Sequence, residues 1–105
     1  MNNNKYFYPS LFHEKGKEGG YWVSFPDLPE CLTQGEDIEE AYRMSVEALG
    51  LALEDRVKVG DVPDPSAVED ISVGADSYVV IIEFDMLEYK KRTAGGSQRE
   101  AGSIG

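Results

Sequence analysis

The chain has 105 residues with 20 acidic and 10 basic side chains, a formal net charge of −10 that repels a phosphate backbone and favours a basic partner. That length suits one domain with one small hydrophobic core, which a homodimer or a higher homo-oligomer would help to stabilise. The single cysteine excludes an internal disulfide framework and no apolar run approaches a membrane span, so we expect a cytoplasmic protein that does not associate with membranes.

The first predicted strand is rich in large apolar residues: Tyr6, Phe7, Tyr8, Leu11 and Phe12. Because proline has no amide hydrogen, Pro9 limits the pairing of this strand on one side, and we expect it at or near an edge of the sheet. The charged segment from Glu14 to Gly20 predicts a hairpin loop, in which Gly19 and Gly20 adopt positive backbone angles. The aromatic and β-branched run from Tyr21 to Phe25 then returns antiparallel.

Two prolines, Pro26 and Pro29, end that second strand. The residues from Cys31 to Gln34 predict a short third strand, with Gly35 at its end. A long helix is predicted to begin at Ile38, because Asp37 is a good N-cap residue and Glu40 stands three residues later, where it can bond the cap amide.

One side of the predicted helix is apolar at helical spacing and should pack on the sheet: Ile38, Ala41, Tyr42, Leu49, Ala52 and Leu53. Gly50 lies within the helix at a cost of ~1 kcal/mol relative to alanine. We interpret it as a packing glycine that lets the helix backbone approach a strand closely.

Gly60 and Pro63 end the helix, and the run Asp64-Pro65-Ser66 predicts a second, short helix that continues to about Asp70. The run from Tyr78 to Phe84 has apolar residues at consecutive positions, which favours a central strand covered on both faces. Residues 93–105 are small and polar, so we predict a disordered tail after a single αβ domain at residues 1–92.

The run from Gly19 to Ala41, GGYWVSFPDLPECLTQGEDIEEA, resembles the HicB family of bacterial antitoxins, and the resemblance extends from Lys5 to Tyr89. Its most specific positions are Pro26, Asp27, Leu28, Pro29, Cys31, Thr33, Gln34 and Gly35. Glu30 departs from the pattern, since the family usually has glycine there. The resemblance implies an α+β fold: an antiparallel β-β-β-α-β sheet with the helix packed on one face, which is a partial ribonuclease H-like architecture.

The same resemblance implies an antitoxin that binds and neutralises a small basic HicA-like toxin, an mRNA-cleaving ribonuclease with a double-stranded-RNA-binding fold and a catalytic histidine. The candidate partner-binding residues are the helix carboxylates Glu39, Glu40, Glu47, Glu54 and Asp55. The alternative is that these acids are only a solvated helix face. Many relatives continue into a DNA-binding module that nothing here resembles, so DNA binding is doubtful, although Lys90, Lys91 and Arg92 form a small basic cluster.

Catalysis is not expected, and the sequence indicates no cofactor, metal or nucleotide site. A ribonuclease H-like nuclease needs an acid on its first strand, where this chain has none; five other carboxylates have simpler roles as turn, cap or strand-end residues: Asp27, Glu36, Asp37, Glu83 and Asp85. His13 fits a surface or packing role and Cys31 a small buried one, while Trp22 is either a core residue or part of an exposed interface. A solitary HicB-like oligomeric regulator without a toxin is a further alternative.

Overall fold

The computed structural model describes residues 4–92, which form a four-stranded antiparallel sheet with one long helix across one face. The elements in chain order are β1 (Lys5–Glu14), β2 (Tyr21–Ser24), β3 (Leu32–Gly35), α1 (Ile38–Val59) and β4 (Ser77–Asp85). Residues 86–92 form a second helix, α2. The predicted β-β-β-α-β order is therefore confirmed, whereas the predicted tail at residues 93–105 lies outside the described residues.

The sheet has the strand order β3-β2-β1-β4, so β1 lies inside the sheet next to the edge strand β4. β1 pairs with β4 from Lys5 to His13, but with β2 only from Leu11 to Glu14. Pro9 lies in the half of β1 that pairs with β4 alone. An internal strand therefore tolerates this proline because β2 does not reach it.

The prediction of a central last strand is wrong, because β4 is at the edge of the sheet and only one of its faces is covered. Ile82 and Phe84 are buried against α1, while Ile81 points to the opposite side and is 43% exposed. The consecutive apolar residues of β4 therefore do not indicate a strand with two covered faces.

The core lies between the sheet and α1, and it includes Tyr8, Phe12, Val23, Leu28, Leu49, Leu53, Ile82 and Phe84. Four of the six predicted packing residues of the helix are buried: Ala41, Leu49, Ala52 and Leu53. Ile38 and Tyr42 are exposed, contrary to the prediction. Ile38 is the first residue of the helix. The Tyr42 side chain extends to the edge of the sheet, where its hydroxyl accepts a hydrogen bond from the Glu83 amide.

The predicted start and end of α1 are confirmed. Asp37 caps the helix by accepting the Glu40 amide at 2.8 Å, and Glu40 in return accepts the amide of Glu36, one residue before the cap. At the other end Gly60 adopts the left-handed conformation with φ 70°, and its amide bonds the carbonyls of Arg56 and Val57. No helix within residues 4–92 has the length and apolar character needed to cross a membrane.

The predicted second helix from Asp64 to Asp70 is wrong except for its end, where Val68–Asp70 form one 3₁₀ turn. The segment before this 3₁₀ turn instead bonds β1 and the turn between β2 and β3. The amide and hydroxyl of Ser66 both donate to the Asp27 carboxylate, and the Tyr8 hydroxyl donates to the Pro63 carbonyl. Ser66 thus donates its hydrogen bonds to the turn between β2 and β3 and does not begin a helix.

Two glycines allow close packing around α1. A Cβ atom at Gly50 would lie 2.7 Å from Tyr89 Cε1 and 2.9 Å from Phe84 Cε1, so the predicted close approach exists, with aromatic side chains in place of strand backbone. A Cβ atom at Gly35 would lie only 2.4 Å from the Ala41 amide nitrogen. The end of β3 and the first turn of α1 are therefore in direct backbone contact.

We expect Gly35→Ala to lower the free energy of unfolding by about 1–3 kcal/mol, because the added methyl group meets helix backbone that cannot move aside without disturbing the cap. Urea unfolding followed by circular dichroism measures this loss. Gly74→Ala is the matched control, since its Cβ would meet nothing closer than Ser77 Oγ at 4.0 Å. Equal stability of the two variants would contradict the proposed contact.

Candidate partner-binding surface

The proline-containing motif between β2 and β3 forms two successive turns. The Leu28 amide donates to the Phe25 carbonyl at 3.0 Å, and the Cys31 amide donates to the Leu28 carbonyl at 2.8 Å. Leu28 and Cys31 are thereby directed into the core, where both are buried. Burial raises the pKa of the Cys31 thiol to about 12, so at neutral pH it is a neutral packing group.

The other motif residues also contact their own chain. Asp27 binds Ser66 and so holds the segment that follows α1. Thr33 pairs with Val23 in the sheet, and the Gln34 side chain accepts a hydrogen bond from Lys15 Nζ at 2.7 Å. The motif thus joins the sheet, α1 and the connection to β4.

Glu30 forms a bidentate ion pair with Arg56 near the end of α1. It stands at the position where the family usually has glycine. Arg56 Nε and Nη2 lie 2.9 Å from Glu30 Oε2 and Oε1, respectively. No non-glycine residue within residues 4–92 has a positive φ, so this turn adopts its shape without glycine. Hydrogen bonding from Arg56 lowers the pKa of Glu30.

The five predicted partner-binding carboxylates all lie on the solvent side of α1, but their surroundings differ. Glu40, Glu47 and Glu54 follow one another at seven-residue intervals, which shifts each by only ~20° around the helix. Glu40 lies 3.7 Å from Arg43 and Glu47 lies 3.4 Å from Arg92, so part of their charge is compensated. Glu39 and Asp55 are exposed on either side of this row.

A groove of about 240 Å³ lies between α1 and β3. Its apolar lining includes Leu32 and Leu51, which are 60% and 63% exposed, and its rim carries the carboxylates of Glu30 and Asp55. Asp55 is the one member of the predicted set that borders this groove. The groove therefore combines an apolar floor with an acidic rim, which suits a basic partner that offers an apolar side chain.

Sequence reasoning missed Leu32 and Leu51. The sequence contains an indication for each residue. Leu32 directly follows Cys31, which is predicted to be buried, and successive side chains of a strand point to opposite faces, so Leu32 should point away from the core. Leu51 falls outside the apolar set predicted for the helix and directly follows the packing glycine Gly50. A single exposed apolar residue is ordinary, but Leu32 and Leu51 line the same groove, and apolar residues that lie together on a surface mark an interface.

The face of the sheet opposite α1 carries His13 and Trp22. Their rings stack with centroids 3.8 Å apart, and Trp22 is 44% exposed, so it is not a core residue. His13 Nδ1 lies 2.7 Å from Ser77 Oγ and Nε2 lies 2.9 Å from Ser24 Oγ. Burial lowers the pKa of His13. Both ring nitrogens of His13 are thus hydrogen-bonded to serine hydroxyls of the neighbouring strands, as expected for a structural histidine.

Four of the five carboxylates considered for a nuclease site make separate contacts within the chain. Asp37 caps α1, Glu83 pairs with Lys5 at 3.0 Å, and Asp85 accepts the Glu88 amide at the start of α2. Asp27 binds Ser66. Within residues 4–92, no three histidine, cysteine, aspartate or glutamate side chains come close enough together to hold a metal ion.

The family comparison decides the relationship of this chain to known proteins. Residues 8–95 match the model of the HicB-like antitoxins of bacterial toxin–antitoxin systems. The chain belongs to this family. The predicted family and the predicted α+β fold are both confirmed.

Individual HicB relatives agree with the assignment. "Antitoxin HicB 1" of Photorhabdus laumondii is 58% identical over 41 residues, which are 39% of this chain and 26% of that relative. A chain of the toxin–antitoxin complex from Streptococcus pneumoniae is 25% identical, with a TM-score of 0.71 over 95% of this chain and 97% of that one. The N-terminal domain of Burkholderia pseudomallei antitoxin HicB is 23% identical, with a TM-score of 0.61 over 73% and 95%.

The Glu30–Arg56 ion pair of this HicB-like chain predicts a pH-dependent contribution to stability. Since the pKa of Glu30 in the folded state lies below its ordinary value of 4.5, the contribution is present above that value and is lost as the pH falls through the lowered pKa. We expect Glu30→Gln to be slightly less stable than the wild type at pH 7 and equally stable at strongly acidic pH. Urea unfolding across this pH range measures the difference.

Glu69→Gln is the matched control for this experiment, because Glu69 is an exposed carboxylate in the 3₁₀ turn, away from Arg56. Glu69→Gln removes one carboxylate without removing an ion pair of Arg56, whose partners are Glu30 and Asp61, so it should not reproduce the loss of stability of Glu30→Gln at pH 7. A difference for Glu30→Gln that stays constant or grows on acidification would contradict the assigned role of the pair.

Proposed function

We propose that this chain is an antitoxin that binds and neutralises a small, basic, HicA-like toxin that cleaves mRNA, and that it acts in the cytoplasm by binding and not by catalysis. Membership of the HicB-like family and the likeness to a chain of a toxin–antitoxin complex support the proposal. The aligned part of this chain spans only 26% of the relative from Photorhabdus laumondii, so the identity of the partner rests on the surface described above.

The observation that carries the proposal is the groove between α1 and β3. Leu32 and Leu51 are large apolar residues that a free protein leaves in water, and both line the same groove. Burying them against a partner would stabilise the complex by roughly 1.5–3 kcal/mol for each side chain that becomes fully covered. Apolar contact at the groove would therefore provide the affinity.

The carboxylates provide orientation and a fast encounter. A net charge of −10 attracts a basic protein over distances near the Debye length, about 8 Å at physiological salt. Asp55 on the rim of the groove lies closest to the proposed contact, while Glu39, Glu40, Glu47 and Glu54 extend the acidic surface along α1. A toxin that binds RNA through cationic residues would present the same residues to this surface, so antitoxin and mRNA would compete.

A direct test of the function is coexpression with the protein encoded next to this gene, if that neighbour is small and basic. The proposal requires a stable complex, restored growth and loss of mRNA cleavage by the purified toxin. A neighbour that binds without losing its ribonuclease activity would contradict neutralisation. The absence of any basic partner would favour the solitary oligomeric regulator.

We expect Leu51→Asp to weaken toxin binding by tenfold or more, because the substitution removes the main apolar contact and leaves a carboxylate on the floor of the groove. Isothermal titration calorimetry with the purified toxin measures the change. Val68→Asp is the matched control: it adds the same charge at an exposed apolar residue in the 3₁₀ turn, away from the groove. Equal affinity of both variants would place the toxin elsewhere.

We expect Asp55→Lys to weaken toxin binding by about tenfold and to reduce its dependence on salt, because a basic side chain would then face the basic partner. Glu69→Lys changes the net charge by the same amount at a remote exposed position and should have less effect. Titrations at several salt concentrations separate the two. A similar loss in both variants would indicate that only the overall charge matters and not the groove.

A further inference from the structure

The groove between α1 and β3 has one carboxylate whose charge is not compensated within residues 4–92. Two acids border the groove, Glu30 and Asp55. Arg56 Nε and Nη2 each lie 2.9 Å from a Glu30 oxygen, so the charge of Glu30 is already paired. In the same part of the chain the exposed Asp55 side chain has neither an ion pair nor a hydrogen bond. Asp55 therefore provides the free anionic group of the groove.

The apolar lining of the groove leads to this carboxylate. Leu51 and Asp55 are four residues apart on α1, so their side chains lie on the same side of the helix, about 6 Å apart along its axis. Leu32 lies across the groove on β3, and both leucines are exposed. The remaining helix residues of the lining are Ala48 and Ala52, which are small and leave room for a side chain. A side chain that enters the groove thus passes over apolar surface before it meets a carboxylate.

Few side chains match both parts of the groove. A purely apolar side chain would cover the two leucines but would leave Asp55 partly desolvated without a partner, which costs free energy. A lysine or an arginine has a stem of three or four methylene groups that packs on apolar surface while its charged group stays at the rim. The arginine guanidinium also presents a planar fork of donors that fits a carboxylate. Because the neighbouring Glu30–Arg56 pair has this same bidentate geometry, arginine fits the groove best.

We propose that the groove binds one arginine side chain of the partner. Its methylene stem lies between Leu32 and Leu51, and its guanidinium donates to the Asp55 carboxylate. This inference rests on the proposed function, because it names the class of toxin residue that the groove recognises. The net charge of −10 favours a basic occupant. One side chain of the partner therefore supplies both the apolar contact and the ion pair.

Asp55 differs in this respect from two other carboxylates along α1. Glu40 lies near Arg43 and Glu47 lies near Arg92. An incoming guanidinium would have to compete with these arginines, whereas at Asp55 it meets no such competitor within the described residues. A change of charge at Asp55 should therefore affect arginine recognition more selectively than a change at either glutamate.

The first test uses the full chain without a toxin and follows the methyl NMR signals of Leu32 and Leu51 at constant ionic strength. N-acetyl-arginine methylamide should shift both signals in a saturable manner. N-acetyl-citrulline methylamide has nearly the same shape without the charge, and guanidinium chloride has the charge without the stem. Each should bind about fivefold more weakly than the arginine compound. Equal binding of either control, or no saturable shift with the arginine compound, would overturn the proposal.

Substitutions at Asp55 assign the charge that the arginine compound recognises. Asp55→Asn preserves the size of the side chain and should lower the affinity about fivefold, whereas Asp55→Glu keeps the charge and should retain most of the affinity. Glu69→Gln is the matched control, since it removes one exposed carboxylate outside the groove, and it should bind like the wild type. An equal loss in Asp55→Asn and Glu69→Gln would mean that only the net charge attracts the compound, which would overturn the proposal.

The second test uses the complex with the toxin. Each arginine and lysine of the toxin is changed in turn to methionine, which keeps an apolar stem, and the affinity is measured for the wild-type antitoxin and for Asp55→Asn. For one arginine the two substitutions should be strongly non-additive: Asp55→Asn should weaken binding of the unchanged toxin about tenfold, and less than about twofold once that arginine is replaced. Additive losses at every position, or coupling to a lysine instead, would overturn the proposal.

The two tests separate this inference from the proposed function. A toxin that is bound and neutralised without a coupled arginine would leave the function intact and overturn the arginine site. Conversely, selective binding of the arginine compound by a chain whose genomic neighbour is not a toxin would support the site and contradict the function.

Discussion

The direct contact between the end of β3 and the first turn of α1 is the constraint on which the other features of this molecule depend. With no side chain at Gly35, the helix backbone lies close to the sheet, and Asp37 and Glu40 cap the helix at that point. This contact sets the direction in which α1 crosses the sheet, because the helix begins only a few residues after the strand ends. It therefore places Leu49 and Leu53 in the core and Leu51 and Asp55 beside β3.

The residues that carry the resemblance to HicB antitoxins are mostly occupied within their own chain. Asp27 holds the connection after α1, Leu28 and Cys31 fill the core, and Gly35 admits the helix. A protein can keep such a frame while the surface around it varies, because the frame residues face inward. The proposed groove accordingly depends on Leu32, Leu51 and Asp55, which the motif does not include, and partner choice would reside in residues of this kind.

The sequence alone determined the hairpin, the limits of α1, the packing role of Gly50 and the family, because these follow from local signals: proline and glycine positions, a capping pair and a long motif. It was wrong about β4 and left Trp22 open, because neighbours along the chain do not decide either outcome. The strand order, the exposure of Trp22 and the edge position of β4 depend on which strands pair across the sheet. Likewise, Asp64 and Pro65 have a favourable pattern for a helix start, yet Asp27 binds Ser66 from a distant turn. Local sequence sets which elements form, but only the tertiary structure decides which apolar side chains find a partner and which remain in water.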